Sequence, residues 1–137
     1  MTQQPAPAVK AFFLIRTAMT VGVITFIGIA WLIRGRGQAV AVPPASAATL
    51  TTVMYAAVAL AAAAVMALRL RLASATPAKR RSLSVVSWAV GEFAALFGGG
   101  AFFLTGDWQL VLPGALVFAL ALAAVPLPRE QELDDRS

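Results

Sequence analysis

The sequence predicts an all-α membrane protein, a bundle of four antiparallel transmembrane helices. Three observations predict it. Hydrophobic residues make up 60% of the 137-residue chain and charged residues only 12%, against roughly 25% charged in soluble domains. The apolar residues gather in four long blocks, at 11–33, 45–68, 83–104 and 110–127. Turn formers separate the blocks. A spanning helix needs about 20 mainly apolar residues to cross roughly 30 Å of hydrocarbon. Three blocks exceed this, and the last, at 18 residues, just meets it. The chain is expected to be a single integral membrane domain.

The first block resembles a signal peptide at a glance, with Lys10 and Arg16 at its start and Ala39-Val40-Ala41 beyond its end. Its stretch from Thr17 to Ile33 is 17 residues long, however, beyond the roughly 7–15 of a signal core. Arg34 and Arg36 follow at once, so a retained helix is expected. Gly35-Arg36-Gly37 and Pro43-Pro44 then break the chain before the second block. The second block carries an alanine run at 61–64, and a loop at 74–81 containing Pro77 leads into the third. Thr105-Gly106-Asp107 is a tight turn, making the last two helices a close antiparallel pair. Pro113 falls in the first turns of the fourth helix, where a missing N–H is least damaging. An acidic tail occupies 129–137.

Four crossings put both termini and the middle loop on one side. That side holds nine basic residues, and the other only Arg34 and Arg36. Positive residues in short flanks face the cytoplasm, and acidic ones contribute little. A bacterial inner membrane with cytoplasmic N- and C-termini is the expectation. Trp31, Tyr55 and Trp108 are expected near the outer boundary as an aromatic belt.

A shift of 71 positions lays Ala18 on Ala89, Phe26 on Phe97, Gly28 on Gly99, Trp31 on Phe102 and Gly35 on Gly106. One reading is a duplicated two-helix hairpin; the other is chance matching in a chain rich in Ala and Gly. Under the duplication Val21 is the counterpart of Glu92, so the carboxylate belongs to one half only.

The chain has no Cys and no His, which removes thiolate chemistry, disulfides and the commonest metal ligands. No catalytic constellation, metal cluster or cofactor motif is present, so no enzyme and no cofactor are expected. Gly98-Gly99-Gly100 lies inside an apolar span without a following Lys-Ser, unlike a phosphate loop. A net charge of +5 could suggest nucleic acid. The cations crowd the helix ends, where lipid headgroups and topology account for them, so no nucleic acid is expected.

Glu92 is the one ionisable residue in the third block. A charge at membrane depth is costly and usually faces a partner, a cavity or a pathway. It lies 10 residues past Ser82, about 15 Å deep at 1.5 Å per residue. Two readings stand: a proton- or cation-handling carboxylate, or an acid bonded across helices. Arg16, about 9 Å deep by the same rise, is the candidate partner for an intramembrane charge pair. Its alternative is to snorkel back to the headgroups. Gly91, Ala95 and Gly99 form a small-residue ridge suited to helix packing. Lys79-Arg80-Arg81 serves as a topology signal and a site for anionic lipid headgroups.

The stretch Trp88-Ala89-Val90-Gly91-Glu92-Phe93-Ala94-Ala95-Leu96-Phe97-Gly98, continuing to Leu104-Thr105-Gly106-Asp107, resembles a pattern in small bacterial four-helix membrane proteins of unknown function. Those show an Ala, a Glu three residues on, an Ala-x-Phe and a closing Leu-Thr-Gly. The resemblance implies a fold and a shared Glu, here Glu92, and no activity. The chain is also similar to proton-carrying c subunits of rotary ATPases, in its Ala- and Gly-rich hairpins with one membrane carboxylate. Their acid lies in the second helix of a hairpin; Glu92 lies in the first. Small multidrug resistance transporters are similar in size, but their Glu is in the first helix, where this chain has Arg16.

Two functions are therefore expected to compete. One is a structural or accessory protein that packs as a homo-oligomer or as a subunit of a larger membrane complex. The other is a minimal proton- or cation-coupled transporter using Glu92.

Overall fold

The computed structural model describes residues 7–37 and 42–125. The acidic tail, Arg129, Arg136, Leu127 and the segment 39–41 lie outside the described residues. Those described form four α-helices, α1 (Pro7–Gly35), α2 (Pro44–Ala73), α3 (Pro77–Thr105) and α4 (Val111–Ala124), with a 3₁₀ turn at Trp108–Leu110 before α4. The fold is an all-α bundle.

Local chemistry sets the ends. Helices α2 and α3 open with a proline in the first turn, where no intrahelical N–H is required and the fixed φ suits the helix. Helix α3 closes on Gly106, whose φ of 81° is left-handed and suits a residue without Cβ. Asp107 then starts the 3₁₀ turn, its carboxylate accepting from the Gln109 N–H at 3.0 Å. Threonines inside the helices satisfy their own hydroxyls by donating one turn back. Thr20 donates to the Arg16 carbonyl, Thr51 to that of Ala47 and Thr105 to that of Ala101.

The first three helices run past their apolar blocks because backbone hydrogen bonding continues after hydrophobicity stops. All three are long and apolar enough to cross a membrane. Helix α4 falls short. Its 14 residues rise about 21 Å, and the 3₁₀ turn adds roughly 6 Å, so the fourth element is shorter than the roughly 30 Å of hydrocarbon.

Helix α3 is the hub on which α1, α2 and α4 all pack, whereas α1 and α2 barely touch. Half of the most apolar window of α3 is buried inside the protein, against 22% for α2 and 6% for α1. The main core joins Met54, Val58, Ala61 and Val65 of α2 to Ala94 and Ala101 of α3 and to Val117 and Ala121 of α4. A smaller cluster of Val23, Ala95 and Phe118 ties in α1. Helices α1 and α3 run parallel: Gly22 lies beside Glu92, Ile27 beside Gly99 and Arg34 beside Gly106, pairs 70 to 72 positions apart. Positions matched by the sequence shift thus lie nearly level, but only the second half of the chain is packed as a hairpin.

Trp31 and Trp108 sit near one end of the bundle, both exposed. Tyr55 does not join them. It lies 11 residues past Pro44, about 16 Å along α2, closer to the middle than to a boundary. A tyrosine in the chain order of a belt is not a tyrosine at the depth of one.

Candidate functional site

The two charged groups inside the apolar blocks fall in different places, Glu92 in the α1–α3 seam and Arg16 at the end of α4. Helix α4 descends along α3 with Leu110 beside Gly98, Gly114 beside Ala94, Ala121 beside Gly91 and Val125 beside Trp88. Trp88 is five residues past Leu83, so α4 ends about 8 Å inside the apolar block of its neighbour. The last carbonyls of any helix have no partner within it, and at apolar depth no water supplies one.

Two side chains from other helices supply them. The Arg16 guanidinium of α1 donates from Nη2 to the Leu122 carbonyl at 2.9 Å. The Trp88 indole of α3 donates from Nε1 to the Val125 carbonyl at 3.0 Å. The guanidinium also stands 5.8 Å from the centroid of the Trp88 ring, within cation–π range, and Phe12 meets that ring edge-on at 6.3 Å. A cation at a helix C-terminus also opposes the helix dipole favourably. Arg16 is thus engaged by α4, and among the described residues no ion pair joins it to Glu92.

A second arginine lies near a helix end at the opposite end of α1, with its Nε buried and unpaired among the described residues. Arg34 lays its guanidinium against the C-terminal turn of α3, 3.2 Å from where a Cβ on Gly106 would stand. The two arginines of α1 thus sit at the C-terminal ends of α4 and α3.

Glu92 is half-buried. Its Oε1 lies 3.8 Å from where a Cβ on Gly22 would stand, ordinary van der Waals contact, so the carboxylate rests against α1. Glu92 has no hydrogen-bond partner among the described residues. Among those residues, no group of three His, Cys, Asp or Glu side chains could hold a metal ion.

The predicted packing ridge is divided between two partners. A Cβ on Gly91 would fall 2.7 Å from the Ala121 Cβ of α4, while one on Gly99 would meet the Phe26 ring of α1 at 3.0 Å. Ala95, fully buried between them, touches both neighbours through the Val23–Phe118 cluster. Residues four apart drift around a helix, because 3.6 residues make a turn, so a straight ridge in sequence becomes a seam between two helices. The basic cluster divides too. Lys79 is exposed, the Arg80 Nε donates to the Ala75 carbonyl at 3.0 Å, and Arg81 buries its Nε.

Two features escaped sequence reasoning. Gly98 and Gly114 form closer backbone contacts than the ridge does: Cβ atoms there would strike the carbonyl oxygens of Leu110 and Ala94. Trp88 was legible in principle, since an indole deep in an apolar span must find an acceptor for its N–H. Compared with known protein families, characterised proteins and solved structures, the chain matches none.

Proposed function

We propose that the chain is a non-enzymatic integral protein of a bacterial inner membrane, with four crossings and both termini in the cytoplasm. Its role is structural or accessory: it packs against a second copy or a larger membrane complex. One observation carries this reading. Helix α1 is long and apolar enough to span, yet only 6% of its apolar window is buried within the protein. Phe13, Leu14, Ile24 and Leu32 stay exposed along it. Arg16 bonds one end of it to α4, and most of its length is left for a partner to cover. The resemblance to small bacterial four-helix membrane proteins accords with this reading.

Extraction of the tagged full chain in mild detergent, with identification of co-purifying proteins, tests it. A stoichiometric partner or a second copy is expected, lost when Leu14 and Ile24 are changed to Ala. A monomer that binds nothing under the mildest extraction overturns it. Orientation is read separately: Ala78→Cys should be shielded from an impermeant thiol reagent in intact cells, and Gln38→Cys labelled.

The second reading is transport through Glu92, favoured by a carboxylate at apolar depth without a partner among the described residues. Transport requires the group to exchange its charge, which Gln cannot do. We expect sealed vesicles to show no difference in proton or cation flux between the wild type and a folded Glu92→Gln variant. Flux abolished by Gln would install the transporter reading instead.

A further inference from the structure

An open groove of about 460 Å³ runs between α2 and α3, walled by Ala57, Ala61 and Ala64 on one side and Val86, Ala89 and Phe93 on the other. Each wall is a stripe at three- to four-residue spacing, so each follows one face of its helix. Continued toward the 74–76 connection, the α2 stripe passes Leu68 and reaches Arg71, and the α3 stripe passes Ser82 and reaches Lys79. Helices α2 and α3 are antiparallel and joined by that short loop. The register that sets Ala64 near Val86 therefore carries Arg71 to the level of Lys79. Both cations are exposed.

We infer that this groove holds one anionic phospholipid of the cytoplasmic leaflet, its acyl chain along the alanine wall and its phosphate between Arg71 and Lys79. Three features select this occupant. The walls offer no side-chain hydrogen-bonding group, so the body of the ligand is apolar. Two cations at one end require an anionic head. From Ala57 to Arg71 is 14 residues, about 21 Å of helix, which is the depth of one leaflet with its headgroups in a bilayer of roughly 40–45 Å. Alanines in place of larger side chains leave the room an acyl chain fills.

This assignment rests on the membrane reading, and native mass spectrometry of the detergent-solubilised full chain tests it apart from that reading. The probe is an equimolar mixture of phosphatidylglycerol and phosphatidylcholine with matched acyl chains. The wild type is expected to retain phosphatidylglycerol over phosphatidylcholine at least tenfold. Each cation near an anionic lipid surface is worth about a fivefold preference, so Arg71→Gln with Lys79→Gln should bring the ratio close to parity. Arg69→Gln, off the groove face by helical spacing, should leave the ratio unchanged. Ala64→Leu with Ala89→Leu should lower retention of both lipids together by filling the apolar wall.

Preference that survives the double charge removal, or falls equally with Arg69→Gln, overturns the site in favour of diffuse attraction. Loss of a dimer peak with the two leucines, the lipid ratio unchanged, gives the groove to a second copy. A chain that stays soluble once detergent is removed would instead defeat the membrane reading itself. Matched helicity by circular dichroism qualifies each variant.

Discussion

Helix α3 has two seams of different construction. Against α4 it presents backbone to backbone, since Gly91, Gly98 and Gly114 leave no space for even a methyl group. Against α1 it presents side chains, with Phe26 and Ile27 lying over Gly99 and Arg34 over Gly106. Lipid chains are as apolar as leucine, so apolar contact alone gives helices little reason to associate. The α3–α4 seam solves this by close approach. The α1–α3 seam relies on side chains instead, with Val23 buried against Ala95, Arg34 set against the end of α3 and Glu92 resting beside Gly22, while Arg16 reaches across to α4.

This contrast is open to direct test by unfolding in detergent micelles. The largest effect should come from the glycine seam. Gly114→Ala forces a methyl group onto the Ala94 carbonyl, where no side chain can swing away, and overpacking of this kind costs about 3 kcal/mol. Stability equal to wild type would mean that the helices approach less closely than described. The end of α4 comes next. Arg16→Leu leaves the Leu122 carbonyl without its donor at apolar depth, a loss of about 2 kcal/mol. Trp88→Phe should lose about half as much, because it removes a neutral bond.

A smaller change of opposite sign is expected at Gly100, where an added Cβ meets nothing within 4 Å. Gly100→Ala should stabilise by about 0.5 kcal/mol through helix propensity alone; destabilisation would point to a neighbour packed on that face. The smallest effect sharpens the distinction between the two polar places. Arg16→Leu and Glu92→Gln should add, with a coupling below about 0.5 kcal/mol, because Arg16 is engaged with α4 rather than with Glu92. A coupling well above that value would re-establish the charge pair.

The sequence by itself determined the helix count and the breaks at 35–37 and 105–107; the loop it placed at 74–81 shortens to 74–76, because Pro77 already opens α3. Count and breaks are local: apolar block length and proline and glycine punctuation are properties of a short stretch of chain. It also marked Gly91, Ala95 and Gly99 as packing residues, because small side chains in an apolar helix have few other uses. It could not say against which helix each would pack. That depends on the azimuth at which α1 and α4 settle around α3, and the four-residue ridge winds from one neighbour to the other.

Arg16 marks the boundary most sharply. Its depth and charge were plain in the sequence, and Glu92 was the only opposite charge at comparable depth. What only the tertiary structure decided is that α4 stops level with Trp88, inside the apolar block of α3. Its carbonyls create an electronegative site that no sequence position announces, since backbone acceptors are the same for every residue. Once α4 stops level with Trp88, the unpaired carbonyls of Leu122 and Val125 claim the nearest strong donors, and Glu92 is left facing a glycine.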